Sequence, residues 1–409
     1  MRTVNGQDIR EYQTTHSHIS FEVALSRPDP VLWALLGEAR SKAEHVAWTL
    51  LHPETARELL QVYLTKGVLA TTAIEGNTLS EEEVRRVVDG QSRLPRSREY
   101  LGTEAANVVA AFNAVKDGLL ADPERDLTVE DVCQFNGMIL EGLELEDGVV
   151  PGAIRVHSVG VGGVYRAAPA RDCEYLLQRL CDWVNGDYFE PRAEADVMGG
   201  PLAIVKAIVV HLYLAWIHPF GDGNGRTARL LELWVLLKAG FPAPSTQLLS
   251  NHYNATREEY YRQLQRASAE NDVVPFVTYA ARGFVDGLRE QLDTIWRHEA
   301  AARWEQLIYQ TFGHISSAAQ RRRLELVLAM PFGTPVPKAK LRHLTPELAE
   351  QYAGTTTKTL TRDLRTLVEM ELIERHGSDY LTRDWVIHGF MPERNDGGVL
   401  DLDPAARGR

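Results

Sequence analysis

From Ala203 to Gly240 the chain carries two apolar runs separated by the stretch His218-Pro219-Phe220-Gly221-Asp222-Gly223-Asn224-Gly225-Arg226. The first run is too apolar for a surface helix and predicts a buried central one. Pro219 cannot donate an amide inside a helix, so that helix is expected to end near His218. A second helix is expected to start at Asn224 or Gly225. Upstream, apolar residues recur at helical spacing over Val31–Leu51 and over Pro53–Ile74, the latter with Leu59, Leu60, Tyr63, Leu64 and Val68 on its buried side. Ser80-Glu81-Glu82-Glu83 reads as a capping box opening another helix. Glu99–Lys116 is amphipathic, and Thr128 or Asp126 is the expected N-cap of a helix running through Gly142.

The period changes after Gly148. Val149 to Val159 alternates apolar and polar residues, Gly160–Gly163 makes a turn, and Val164–Ala167 returns, which predicts a hairpin. A lone hairpin among helices is marginally stable and needs a reason, either packing or the docking of a partner strand. One or two long helices are expected over Val273–Gln310. Beyond them, helices near 321–330, 338–352 and 355–371 precede a strand, turn and strand over 372–382, a pattern that resembles a winged helix. The expected division is 1–98, 99–318, 319–392, and a polar tail at 393–409 read as disordered.

Composition narrows the classes. The hydrophobic fraction of 44% suits a sizeable core in a mainly α-helical protein. A net charge of −12 argues against broad binding to nucleic acid or anionic membrane. Cys133, Cys173 and Cys181 form no metal-ligand pattern. Two of them, Cys173 and Cys181, fall about 12 Å apart along one helix, too far for a disulfide. With no signal-peptide core and no apolar run judged long enough to span a bilayer, a cytoplasmic location is expected.

The central loop carries the candidate chemistry. Gly221, Gly223 and Gly225 allow close backbone approach, and amides at a helix start with Arg226 and Arg229 beside them suit a polyphosphate. His218 supplies a candidate base and Asp222 a candidate magnesium ligand. Phe220 reads as an anchor seating the loop in the core. His211, one heptad before His218, reads as a hydrogen-bonded core residue.

His218 to Arg229 matches the motif HPFx[D/E]GNGRxxR at every specified position, so the chain resembles the Fic family. The resemblance implies a helical bundle with a β-hairpin flap, and transfer of AMP from ATP to a Ser, Thr or Tyr hydroxyl of a protein, the enzyme itself included. It implies that His218 is the base, that Asp222 holds Mg²⁺, and that Gly223, Asn224, Gly225 and Arg226 cradle phosphate oxygens. Arg226 and Arg229 then pair with the β- and γ-phosphates, and Tyr261 lies near the adenine. Relatives in the Doc branch, which transfer phosphate, carry a lysine where this chain has Gly225. Thr71 to Gly76 matches the inhibitory pattern [S/T]xxxE[G/N] of such proteins, in which the glutamate, here Glu75, takes the second arginine, here Arg229. The Pro151-Gly152-x-x-Arg155 start resembles the family's flap, implying that a target segment docks over Ala153–Ala168.

Other readings stay open: a hydrolase removing AMP through the same site, or a nucleotide-sensing regulator acting through the winged helix. Lys358, Arg362 and Arg365 share a face of the third C-terminal helix as phosphate contacts would, yet acidic and basic residues there nearly balance. DNA contact, another partner and homodimerisation are therefore all open.

Overall fold

The computed structural model describes residues 2–4, 7–23, 29–91, 94–161, 165–190 and 195–387. The tail expected at 393–409 lies outside the described residues. Two compact units, Met1–Asp293 and Thr294–Arg409, make up the chain.

The first unit begins with a ribbon of β1 (Arg2–Val4) and β2 (Gln7–Ile9), then the short helix α1 (Glu11–Thr15). Helices α2 (Pro30–Trp48), α3 (Pro53–Ile74), α4 (Glu81–Val88) and α5 (Glu99–Ala121) follow. Next come α6 (Val129–Leu140), the strands β3 (Gly160–Val161) and β4 (Tyr165–Arg166), and α7 (Cys173–Asn185). The central pair is α8 (Ala195–Ile217) and α9 (Asn224–Lys238). Helices α10 (Leu248–Ala255), α11 (Arg257–Glu270) and α12 (Val274–Phe312) complete the run, the last extending past residue 293.

Local chemistry sets these boundaries. Ser80 and Glu83 form the capping box of α4, and Thr128 with Asp131 forms another on α6, so Thr128 rather than Asp126 is the N-cap. Helix α3 ends at Glu75, and Gly76 follows at φ +101°, a left-handed stop that glycine tolerates. On α3, Leu59 and Tyr63 are buried as expected, whereas Leu60 is 39% exposed and turns outward.

Helix α8 is apolar all round because it is buried all round: Ala207 through Leu214 have no exposed surface. Gly199–Ile217 is long and apolar enough to cross a membrane, correcting the expectation that no run reaches that length, but 72% of it is buried inside the fold. Two cysteines, Cys173 and Cys181, lie on α7 as expected, and all three cysteines are free.

The expected strand over Val149–Val159 is not formed. Among the described residues, pairing here is confined to Gly160↔Arg166 and Val161↔Tyr165, with a single bridge from Ile154 to Phe220. The alternation misled because its polar member Arg155 points inward, 4% exposed, while Val150 and Val156 are 60% and 92% exposed. Arg155 sends its donors to carbonyls outside any sheet. Gly162, Gly163 and Val164, part of the expected turn and return, lie outside the described residues.

The second unit holds α13 (Ala318–Leu328), β5 (Val336–Pro337), α14 (Lys338–Leu341), α15 (Pro346–Ala353), α16 (Thr357–Glu369), β6 (Ile373–His376) and β7 (Asp379–Thr382). Its sheet runs β5-β7-β6, antiparallel throughout. Strand β5 was hidden in a proline-bearing stretch that reads as a break. Leu324, Leu348, Leu360, Leu364 and Leu367 pack the core, leaving Lys358, Arg362 and Arg365 exposed together on α16. Asp363, 1% exposed, turns inward instead and accepts from Arg322 Nε at 2.8 Å, Arg323 Nε at 3.0 Å and the Tyr352 hydroxyl at 3.0 Å.

Replacing Asp363 with Ala strands three donors around a buried hole. We expect Asp363→Ala to destabilise the second unit by about 3 kcal/mol in urea unfolding. A loss under about 1 kcal/mol, the range of exposed ion pairs, would contradict this account.

Candidate active site

The site forms where α8 gives way to α9. His218 continues the last turn, its amide donating to Leu214 O at 2.8 Å, but its φ of +51° turns the chain out of the helix. Such a conformation in a residue with a side chain needs surroundings that hold it. The segment after α6 supplies them. Arg155 Nε donates to His218 O at 2.7 Å, and Arg155 Nη2 to Ala168 O at 2.5 Å and Ile217 O at 3.4 Å. Backbone Arg155 N donates to Pro219 O at 2.9 Å, and the Tyr165 hydroxyl to Trp216 O at 3.0 Å. These donors satisfy the carbonyls that the end of a helix leaves open.

The His218 ring is set by the same turn. Nδ1 lies 3.3 Å from Ala215 O. A carbonyl can only accept, so Nδ1 carries the proton and Nε2 is left as a bare acceptor. Burial pushes the ring's pKa down to about 4, against smaller upward pulls from the Ala215 carbonyl, Glu75 and Asp222.

Phe220 is fully buried and anchors the loop, as expected. Asn224 behaves differently from the expected phosphate cradle. Its Oδ1 accepts from Phe220 N at 2.9 Å and its Nδ2 donates to Phe220 O at 3.0 Å, so the side chain clamps the loop on itself. Gly223 opens α9 at φ +76°, and a Cβ there would sit 2.8 Å from Asn136 Nδ2. Amides of the first turn, Gly225 and Arg226 among them, have no acceptor within the helix and remain suited to an anion.

Five charged groups converge on this helix start. Arg229, 3% exposed, donates through Nη2 to Glu75 Oε1 at 2.6 Å. Its Nε donates to the Thr71 hydroxyl at 2.7 Å, and Nη2 also reaches Thr71 O at 3.0 Å. Burial works against the Glu75 carboxylate, yet the Arg229 charge and hydrogen bond, with Arg226 and His218 adding, hold its pKa below the usual range. Arg226 is gripped from the other side by Glu104 at 2.7 Å and lies 3.4 Å from Asp222 Oδ1. Asp222 also accepts from its neighbour Gly223 N at 2.5 Å, and its side chain is 50% exposed. Tyr261 lies at the rim, 45% exposed, with its hydroxyl 3.4 Å from Ile74 O.

The Asp222 carboxylate is half exposed to solvent, which fits a magnesium ion held mainly by phosphate oxygens and water. Among the described residues no cluster of three or more His, Cys, Asp or Glu side chains forms a closed metal cage. His211 is the core residue expected, fully buried with Nε2 2.9 Å from the Tyr260 hydroxyl.

Glu104 and Asn136 escaped the sequence reading. Asn136 Nδ2 donates to Asp222 O at 2.9 Å and Oδ1 accepts from Gly152 N at 3.0 Å, joining the loop to the turn that precedes Arg155. Both carried a signal: Glu104 shares a helical stripe with Leu101, Ala105 and Val108, and Asn136 shares one with Val132, Phe135 and Ile139. A polar side chain inside an apolar stripe is buried and must be partnered.

The lowered pKa of His218 has a direct consequence. Between about 6.5 and 4 the unfolded chain binds a proton at this position that the native site refuses, so the ring contributes instability as pH falls through that window. In an NMR titration, His218 should stay neutral at pH 6 and protonate only near 4; protonation near 6.5 would refute the desolvated-base geometry.

Residues 126–236 match the model of the Fic/DOC family. The chain is 31% identical over 233 residues to protein adenylyltransferase fic-1 of Caenorhabditis briggsae, covering 57% of this chain and 42% of that protein. It is 33% identical over 217 residues to protein adenylyltransferase Fic of Culex quinquefasciatus, covering 52% of this chain and 38% of that protein. Among solved structures, Fic-1 of Caenorhabditis elegans aligns with a TM-score of 0.55 at 25% identity, over 66% of this chain and 74% of that one. A Fic family protein from Desulfovibrio desulfuricans shares the fold with a TM-score of 0.53 at 23% identity, over 87% and 96% of the two chains. The chain spans less than half the length of these curated relatives. The buried helix, the strained histidine turn and the arginine-bearing helix start thus all lie within residues 126–236, the segment that matches the Fic/DOC family model.

Proposed function

We propose that this chain is a protein adenylyltransferase, moving AMP from ATP to a hydroxyl side chain, and that Glu75 holds it in check. The observation that carries the reading is the convergence of a neutral His218, with Nε2 bare, on the two arginines at the start of α9. Nε2 takes the proton of the target hydroxyl as its oxygen attacks the α-phosphorus; the bond to the bridging oxygen breaks and pyrophosphate leaves. First-turn amides and Arg226 bind the phosphate chain, and Arg229 takes the γ-phosphate once Glu75 has left it. Asp222 would hold Mg²⁺, which supplies charge neutralisation on the phosphates. The target segment docks along the flap, Ala153–Ala168, where Arg155 already ties backbone to the histidine turn. Three free cysteines support a reducing, cytoplasmic setting.

Inhibition follows from geometry. A Cβ built on Gly225 would collide with Glu75 Oε1 and lie 3.2 Å from Arg229 Nη1, so the carboxylate occupies the cradle itself. The exposed face of α16 is proposed as a partner-binding surface of a winged-helix module, with DNA only a weak ligand.

Removing a charge-assisted hydrogen-bond partner worth about 1.5–3 kcal/mol should raise AMP transfer by about ten- to a hundredfold. Glu75→Gly should therefore release strong automodification, read as label from α-labelled ATP, and Arg229→Ala added to it should lower the signal again. Equal labelling of wild type and Glu75→Gly would remove the inhibitory reading, and label arriving only from the γ-phosphate would make the chain a kinase.

His218→Ala in the Glu75→Gly background should abolish transfer while ATP binding persists, because the base touches the hydroxyl rather than the phosphates. Joint loss of binding and activity in a folded variant would assign His218 another role.

A further inference from the structure

Glu104 sits on α5, outside the matched family segment, and is 9% exposed. Its two oxygens serve two different parts of the molecule. Oε1 accepts from Arg226 Nη1 at 2.7 Å, and Oε2 accepts from Asn77 Nδ2 at 2.8 Å. Asn77 is itself 8% exposed and fixed on every side. Its Nδ2 also donates to Leu101 O at 3.0 Å, its Oδ1 accepts from Leu79 N at 3.0 Å, and its backbone amide donates to Thr72 O at 3.1 Å in the last turn of α3. A continuous chain of hydrogen bonds therefore runs from the helix end that carries Glu75, through Asn77 and Glu104, to Arg226.

We propose that Glu104 is a positioning residue for Arg226, and that Asn77 ties this setting to the end of the α3 helix. The inference rests on the phosphate-binding role proposed above for Arg226. Two carboxylates compete for that guanidinium: buried Glu104, and half-exposed Asp222 at 3.4 Å. Glu104 holds the fork on the α5 side, where one nitrogen is occupied and Asp222 stays open to solvent. Without Glu104, Arg226 is left buried with one anionic neighbour, and the low dielectric closes it onto Asp222. That single movement removes a phosphate donor and the proposed magnesium ligand together. The link through Asn77 means that a shift of the α3 end, which must accompany release of Glu75 from Arg229, is felt at Arg226 as well. Both arginines are thus set from one place.

The test uses the full chain carrying Glu75→Gly, so that the cradle is open. ATP and AMP affinities are measured by calorimetry, with KM for ATP, kcat and thermal melting alongside. AMP has no β- or γ-phosphate and serves as the internal control. Glu104→Ala should weaken ATP binding about tenfold and raise KM similarly, while AMP binding changes less than about twofold. Glu104→Gln keeps an acceptor for Arg226 without the charge and should fall between parent and Ala; it also stands in if Glu104→Ala does not fold. Asn77→Ala should weaken ATP binding in the same direction by a smaller factor. Unchanged or tighter ATP binding in the Glu104 variants would overturn the assignment, as would equal weakening for ATP and AMP, the mark of a general packing defect. Failure of the Glu75→Gly parent to bind ATP at all would overturn the reading of the whole site, and this inference with it.

Discussion

A buried helix that stops against a proline leaves carbonyl groups facing inward with no amide to meet them, and this constraint organises the centre of the molecule. Pro219 cannot continue α8, so the carbonyls of Trp216, Ile217 and His218 must find donors elsewhere. The segment after α6 provides them through Arg155 and Tyr165. The backbone of this segment also pairs with the turn, Arg155 N donating to Pro219 O, where the alternation suggests a long hairpin strand. The positive φ of His218 is stable only under this cap. Arg155 and the histidine turn are therefore one structural unit.

The second constraint is electrostatic. Arg226 and Arg229 are 7% and 3% exposed, and buried guanidinium groups without counter-charge are costly. The protein supplies the counter-charge itself: Glu75 for Arg229, with the neutral Thr71 hydroxyl accepting beside it, and Glu104 for Arg226. The contacts that neutralise the two arginines are the ones to which the proposed restraint is assigned. On the function proposed above, a nucleotide would exchange with the Glu75 carboxylate that Arg229 holds.

Much of this was legible from the chain alone, for identifiable reasons. The apolar run of α8 and the break at Pro219 are strong local signals, and so are the capping boxes of α4 and α6. The motif from His218 to Arg229 is contiguous, so reading it needs no knowledge of tertiary contacts. Glu104 and Asn136 come from other helices and announce themselves only as polar interruptions of apolar stripes, a pattern that does not name the partner. Asn224 shows the limit in the other direction: its position in the motif was plain, but its side chain is spent on the backbone of Phe220. Strand β5 went unseen because two residues beside a proline carry no period, and its pairing with β7 is a long-range event.

The bare backbone at Gly225 has a consequence for how such sites can diverge. The absent side chain is the space in which the Glu75 carboxylate sits. A lysine or any larger residue at this position would have to displace that carboxylate, and with it the restraint proposed for this site. The two designs are mutually exclusive at a single Cβ.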